Sequence, residues 1–151
     1  MIDETTRLMD TRAYLDAVNA PAPIVERVIG LLGAYARLVD LQNSDVFVSD
    51  LIDPEGNRAF PSLWIFTHDA AFEARIPAEA GNQLDGTVIR QHIVHWVART
   101  EDFEFGPAFP TSRAHVELWF SDGLLGELHA TGDNCVRMTE ILRKYVMPNT
   151  R

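Results

Sequence analysis

The chain has 151 residues, of which 46% are hydrophobic and 23% are charged, and this composition predicts one globular domain. Its formal net charge is −9, because 22 acidic residues outnumber 13 lysines and arginines. Proteins that neutralise nucleic-acid phosphates or dock on anionic membranes need clustered basic residues. The charge therefore disfavours nucleic acid and membrane as partners.

The cysteine content and the N-terminal sequence indicate the cellular compartment. Cys135 is the only cysteine, so the chain has neither an intrachain disulfide nor a thiolate metal cluster. The sequence lacks an apolar run of about 18 residues, the length that a membrane-spanning helix needs. The first residues, MIDETTRLMD, are acidic and polar where a secretory signal is basic and then apolar. We therefore expect a cytoplasmic protein.

Residues 1–43 are predicted to form a helical segment. A loose apolar pattern favours a short helix over residues 5–18, and the sequence APAP at 20–23 precedes a second helix from Ile24 to about Leu41. This second helix has more apolar surface than a lone surface helix needs, so we predict a homodimer or a partner interface. The interaction candidates on the second helix are Val25, Ile29, Leu32 and Tyr35.

The pattern changes to strands after residue 43. Val46, Val48 and Leu51 indicate one strand, and PEGN at 54–57 is a turn sequence. A strand is predicted at 63–66, and in the next predicted strand Phe72, Ala74 and Ile76 alternate with charged residues. A polar connection is expected at 78–86, and DFEF at 102–105 is predicted to be a further short strand.

Residues 87–99, TVIRQHIVHWVAR, fit two structures. Ile89, Ile93, Trp96 and Val97 lie at helical spacing. The density of β-branched residues and the strands before and after this segment favour a strand. We predict the strand, and the helix remains the alternative.

The C-terminal part is predicted to form a β-hairpin over residues 113–131 and a closing helix from about 134 to 146. Asp133 or Asn134 is suited to the N-cap of that helix. Its apolar face is expected to plug one end of the sheet structure, and the residues of this face are Met138, Ile141, Leu142 and Tyr145.

The side-chain pattern selects the hairpin register. A two-residue turn at Asp122–Gly123 would mix apolar and charged side chains on one face, whereas a three-residue loop at 121–123 makes one face entirely apolar or glycine. We therefore predict the loop, with Gly123 in the left-handed conformation. The inner face then has Ala114, Val116, Leu118 and Phe120 opposite Ala130, Leu128, Gly126 and Leu124.

This register places four potential metal ligands on the outer face of the hairpin. His115 is expected opposite His129, and Glu117 opposite Glu127, with about 5 Å between paired Cβ atoms. Such groups are suited to zinc. A solvated sheet face is the simpler interpretation, and it is favoured, so zinc is kept as a hypothesis and no other cofactor is predicted.

No residue is predicted to be catalytic. His92 and His95 would point to opposite faces of a strand, and His68 beside Asp69 is typical of a turn. Cys135 lies at a helix start, where a thiolate would be stabilised, but free cysteines are usually buried and structural. We predict a structural cysteine.

The order of elements resembles bacterial pleckstrin-homology-like (PH-like) domains. The resemblance is carried by WIFTHDAAFEARIP, HIVHWVARTEDFEFG and HVELWFSDGLLGELHATGDN with the helix that follows, over about residues 45–146. It implies an α+β fold in which two orthogonal antiparallel sheets form a partly open barrel over residues 44–148, closed by the C-terminal helix. Residues 1–43 would precede this barrel in one compact domain. The first hairpin loop, PEGNR, carries Arg58 without a basic cluster, so phosphoinositide binding is not expected.

Three functional hypotheses follow. The first is a non-enzymatic binding or scaffold module for protein–protein interaction or self-association. If residues 85–99 were helical, the order would instead resemble the type III secretion chaperones, small acidic dimers that wrap an unfolded partner segment. The third hypothesis is a metal-dependent or small-ligand-binding protein that uses the His/Glu face of the hairpin.

Overall fold

The computed structural model describes residues 4–36, 41–68, 70–76, 88–90, 93–98, 113–121, 123 and 125–148. These residues form an α+β fold, as predicted. The helices are α1 (Glu4–Ala17), α2 (Ala22–Tyr35) and α3 (Asn134–Ile141), and the strands are β1 (Asp45–Val48), β2 (Leu51–Ile52), β3 (Arg58–Ala59), β4 (Ser62–Phe66), β5 (Ala71–Arg75), β6 (Val88–Arg90), β7 (Ile93–Ala98), β8 (Arg113–Phe120) and β9 (Leu125–Thr131).

The described strands form separate antiparallel sheets and not one closed barrel. The largest has the order β1-β4-β5-β6, a second has the order β7-β8-β9, and β2 pairs with β3 in a short ribbon. The chain is a strand at 88–90 and at 93–98, so the strand prediction is confirmed there and the helical alternative is wrong. The predictions for 78–86 and 102–105 lie outside the described residues.

The four-stranded sheet is covered on both faces. Leu63 and Ile65 of β4 pack toward α1 and α2, whereas Trp64 and Phe66 pack toward β8, β9 and α3. The sequence of a strand that is buried on both faces is a continuous run of apolar residues, and LWIF in β4 is such a run. The fold therefore has a helical layer, a central sheet, and a layer formed by the hairpin sheet and the last helix.

Trp64 lies at the centre of the core between the two sheets. Its ring stacks on Phe66 and on Phe120, with centroid distances of 5.6 and 6.3 Å. A Cβ atom added at Gly126 would lie only 2.6 Å from Trp64 Cη2. The glycine on β9 therefore allows the indole to lie directly against the hairpin backbone.

Helix α2 packs onto the central sheet with the side chains that were predicted to form an interface. Val25, Leu32 and Tyr35 are buried, and Ile29 is half-buried against the same core. The apolar surface that suggested a partner is thus covered by this chain's own strands. Val25, Leu32 and Tyr35 therefore face this chain's own core, and Ile29 keeps part of its surface exposed.

The second helix is shorter than predicted. It ends at Tyr35, and Leu41 begins a separate 3₁₀ turn, Leu41–Asn43. Residues 37–40, on which the predicted continuation depended, lie outside the described residues. The first helix occupies its predicted segment within one residue at each end.

The last helix closes the core between the sheets, as the sequence predicts. All four apolar residues of its predicted face, Met138, Ile141, Leu142 and Tyr145, are buried. Beyond Ile141 the helix continues over Leu142–Val146 with the wider π-helical spacing. Asp133 occupies the N-cap position, but its side chain makes no capping hydrogen bond.

A buried carboxylate joins the layers. Asp50 has no exposed surface. Its Oδ2 accepts hydrogen bonds from Arg58 Nε at 2.7 Å and from the Thr131 hydroxyl. Its Oδ1 accepts from the Thr131 amide at 3.0 Å and from Asn134 Nδ2 at 2.6 Å. This one side chain therefore connects β3, β9 and α3.

The hydrogen-bond network extends from Asn134 to the first helix. Asn134 Nδ2 also donates to the Val48 carbonyl at 2.8 Å, and Asn134 Oδ1 accepts from the Tyr14 hydroxyl at 2.6 Å. The Tyr14 oxygen in turn accepts from the Val48 amide at 3.1 Å. Burial raises the pKa of Tyr14 well above its ordinary value, so the hydroxyl keeps its proton and remains a donor.

A second ionic cluster holds the ends of α1 and α3 on β1. Asp45 accepts from Lys144 Nζ and from the Tyr145 hydroxyl, each at 2.7 Å, and it pairs with Arg7 Nη1 at 3.2 Å. Burial alone would raise the pKa of Asp45, but the hydrogen bonds from Lys144 and Tyr145, with the charges of Lys144 and Arg137, bring it below its ordinary value.

Replacement of Asp50 is expected to be costly. Asp50→Asn places an amide nitrogen where one oxygen accepts hydrogen bonds and leaves Arg58 without its carboxylate, so the free energy of unfolding should fall by about 3–5 kcal/mol. Urea denaturation measures this change. Asp133→Asn is the matched control, because Asp133 is exposed and makes no capping bond; its effect should stay within about 0.5 kcal/mol. Equal effects of the two changes would contradict the role of Asp50.

The closing role of the last helix is tested at Leu142. Leu142→Ala opens a cavity in the core and should lower the free energy of unfolding by about 2–5 kcal/mol. Val136 lies on the same helix and is 61% exposed, so Val136→Ala should change the stability by less than about 0.5 kcal/mol. A cost near zero for Leu142→Ala would show that the helix does not seal the core.

Candidate functional site

The terminal hairpin has the predicted register. Val116 pairs with Leu128 and both are fully buried, and His115 pairs with His129 on the other face. Gly123 has φ +84°, the left-handed conformation expected for the three-residue loop. The predicted pair between Phe120 and Leu124 lies outside the described residues, because Leu124 is not described.

Three of the four predicted ligands converge on the outer face of the hairpin. The imidazole rings of His115 and His129 are stacked, with centroids 4.3 Å apart and planes within 10° of each other. Glu127 Oε1 is 3.4 Å from His115 Nε2, and Glu127 Oε2 is 3.9 Å from His129 Nε2. One ligand atom from each residue lies within 4.8 Å of the other two. We call these residues the His–Glu–His cluster.

Glu117, the fourth candidate, lies opposite Glu127 in the ladder but does not belong to this cluster. The pairing of two directly opposed residues fixes only where their Cβ atoms lie, because a glutamate has further rotatable bonds beyond Cβ. The sequence pattern thus identifies the correct face and the correct pairs, but it does not specify which side-chain ends meet.

His115 has an unusual polar environment. Its Nε2 atom is enclosed by protein and has no hydrogen-bond partner among the described residues. The contact with Glu127 at 3.4 Å is an ion-pair distance that lacks hydrogen-bond geometry. Buried polar atoms are nearly always hydrogen-bonded, so this atom marks a position where a further partner would be favourable.

A cleft of about 670 Å³ adjoins the cluster. Glu127 and His129 belong both to the cluster and to the wall of the cleft. Glu73 and Arg75 face this space from β5. No sequence pattern marks these two residues as part of a site, because their position depends on how the two sheets pack. The residues that line the cleft are Leu51, Pro61, Ser62, Glu73, Arg75, Leu125, Glu127 and His129.

The main chain of β9 borders this cleft along an edge with which no described strand pairs. The N–H of His129 donates to Ser49 Oγ at 3.3 Å, and its carbonyl accepts from the Asp50 amide at 2.9 Å, so both groups point away from β8. Antiparallel ladders alternate with a period of two residues, so the main-chain groups of Leu125 and Glu127 point the same way. Residues 49–50 therefore cover one end of this edge, and at the other end, beside Leu125 and Glu127, it has no partner among the described strands.

The remaining candidates are dispersed. His95 is exposed on β7, and His68 is exposed after β4, where its ring lies 5.4 Å from that of Tyr145. His92 and Asp69 lie outside the described residues. Among the described residues, the His–Glu–His cluster is the group whose donors are close enough together to share one ion.

Cys135 is a buried side chain of the first turn of α3, as predicted. Burial, with smaller contributions from the charges of Asp50 and Asp133, raises the pKa of its thiol to about 11. The thiol is therefore protonated at neutral pH, and the nucleophilic alternative is not supported.

Comparisons of the chain with protein-family models, with characterised proteins and with solved structures give no match. The function must therefore be inferred from the chemistry and geometry of the cleft and of the adjoining cluster. Separately, no helix within the described ranges is both long and apolar enough to cross a bilayer.

The environment of Cys135 predicts slow alkylation. At pH 8 the raised pKa lowers the thiolate fraction about 100-fold relative to an ordinary cysteine, and burial limits access further. Iodoacetamide should therefore label the native protein at least about 100-fold more slowly than the protein in concentrated urea, as measured by mass spectrometry. Labelling at the same rate in both conditions would place this thiol at the surface.

Proposed function

We propose that this protein is a non-enzymatic binding module that holds a short extended segment of a partner protein in the cleft beside β9. The observation that carries the proposal is the coincidence of a strand edge at Leu125 and Glu127, with which no described strand pairs, and a cleft of about 670 Å³. An extended peptide adds to such an edge through main-chain hydrogen bonds, and its alternate side chains enter the neighbouring pocket.

The lining of the cleft favours a peptide with both apolar and basic side chains. Leu51, Pro61 and Leu125 provide apolar contact surface, and Leu125 is 38% exposed. Glu73 and Glu127 supply two carboxylates beside the single guanidinium of Arg75. The net charge of −9 on the protein also attracts a positively charged partner over longer distances.

The PH-like resemblance supports a binding role as well. Antiparallel sheets closed by a C-terminal helix are common to the described structure and to the fold that the resemblance implies. We propose that the two larger sheets correspond to the sheets of a partly open PH-like barrel. The chaperone hypothesis depended on a helix over residues 85–99, and the strands at 88–90 and 93–98 remove that basis.

The proposal is tested with peptides selected from a random ten-residue display library on the immobilised full chain. We expect the enriched peptides to contain lysine or arginine next to apolar residues. Their binding to the protein in solution is then measured by fluorescence anisotropy. A library from which no peptide is enriched would contradict the proposal.

The use of the strand edge is tested at Leu125. Leu125→Pro removes an N–H group that points away from β8, so the hairpin ladder is preserved while a peptide loses one main-chain donor. Leu125→Ala is the matched control, since it loses the same side chain but keeps the N–H group. The proline variant should bind selected peptides about tenfold more weakly than the alanine variant, with unchanged circular dichroism. Equal affinities would show that the edge is not used.

A further inference from the structure

We infer that the His–Glu–His cluster of His115, Glu127 and His129 is a binding site for a divalent transition-metal ion, with zinc as the expected ion. This inference does not rest on peptide binding: Glu127 and His129 also line the cleft, but the positions of the donor atoms do not depend on what the cleft holds. It rests on the positions of three donor atoms, on the surroundings of one of them, and on the rigidity of the two strands.

The two histidine-to-carboxylate distances are close to the spacing that zinc requires. Ligands of a tetrahedral zinc ion lie about 2.0–2.2 Å from the metal, so two ligand atoms are about 3.4 Å apart. The distance from His115 Nε2 to Glu127 Oε1 is already 3.4 Å, and that from His129 Nε2 to Glu127 Oε2 is 3.9 Å. The two distances end on different oxygens of Glu127, and the lone pairs of the stacked imidazoles lie in nearly parallel planes. Rotation of the half-exposed Glu127 side chain and of the imidazole rings therefore brings the three donors onto one ion.

The chemistry of the donors selects the class of ion. Two imidazole nitrogens and one carboxylate oxygen suit zinc, cobalt, nickel and copper, whereas calcium and magnesium prefer oxygen ligands throughout. The enclosed Nε2 of His115 has no hydrogen-bond partner in the described part of the chain, and a metal ion would supply one. Glu117 opposite Glu127 adds negative charge to the same face, which further favours a cation.

The strands hold the main chains of the two histidines in place before any ion binds. His115 and His129 form a directly opposed pair on adjacent strands. The main chain of His129 is fixed from its other side by Ser49 Oγ and by the Asp50 amide. A site on paired strands loses little conformational freedom on binding, and this favours affinity.

Titration of the full-length, chelator-treated protein with zinc in a calorimeter tests the inference. We expect one ion to bind per chain. Cobalt should give the visible absorption of a tetrahedral complex, and zinc should displace it. The absence of saturable zinc binding by the wild-type protein would overturn the inference.

Variants assign the binding to the cluster. His115→Ala and Glu127→Gln should each weaken zinc binding more than about 100-fold, since loss of even a supporting residue commonly costs 10- to 100-fold. Glu127→Gln keeps the size of a half-exposed side chain, so it preserves the test if His115→Ala fails to fold. His68→Ala is the matched control, because His68 lies outside the cluster, and its affinity should equal that of the wild type. Zinc binding that is unchanged in both cluster variants would overturn the assignment.

The peptide measurements are made in the presence of a chelator, so that the two proposals can fail separately. Loss of zinc binding in His115→Ala with unchanged peptide affinity would support an independent metal site. Peptide binding with no zinc binding would overturn only the metal site, and zinc binding with no selected peptide would overturn only the peptide-binding function.

Discussion

The arrangement of the layers depends on satisfying one buried carboxylate. A charge removed from water is strongly destabilising unless its oxygens are hydrogen-bonded. Asp50 meets this condition with donors from Arg58, Thr131 and Asn134, which belong to β3, β9 and α3. Its own amide holds the carbonyl of His129. The same residue that stabilises the fold thus positions one wall of the cleft and one imidazole of the cluster.

Local patterns in the sequence were sufficient to predict the terminal hairpin. A shift of one residue would have placed Val116 on the face of Glu127 and His129, so the alternation of side chains allowed only one register with an apolar face. The pairing of His115 with His129 followed from that register and is confirmed. The same kind of information identified the strands at 88–90 and 93–98, where β-branched residues outweighed an apparent helical spacing.

Features that depend on long-range packing could not be predicted in this way. Nothing in the neighbourhood of Asp50 in the sequence distinguishes it from an ordinary polar residue at a strand end, because two of its three partners, Thr131 and Asn134, are 81 and 84 residues away. The same limitation explains why Val25 and Leu32 were predicted to form an interface with a partner. In the sequence, an apolar helix face looks the same whether the chain's own sheet or another molecule covers it. The cleft was not foreseen because Glu73 and Leu125 meet only after the sheets pack.

The partial cover on the edge of β9 also limits self-assembly. A long, flat, unprotected strand edge is a template on which identical molecules stack into fibrils. In this protein residues 49–50 cap the edge beside His129, and the stretch that is unpaired within the described part of the chain is confined to the neighbourhood of Leu125 and the charged Glu127. A stretch of this length suits the short segment proposed above but is too short to template a stack of identical chains, so the risk of polymerisation is low.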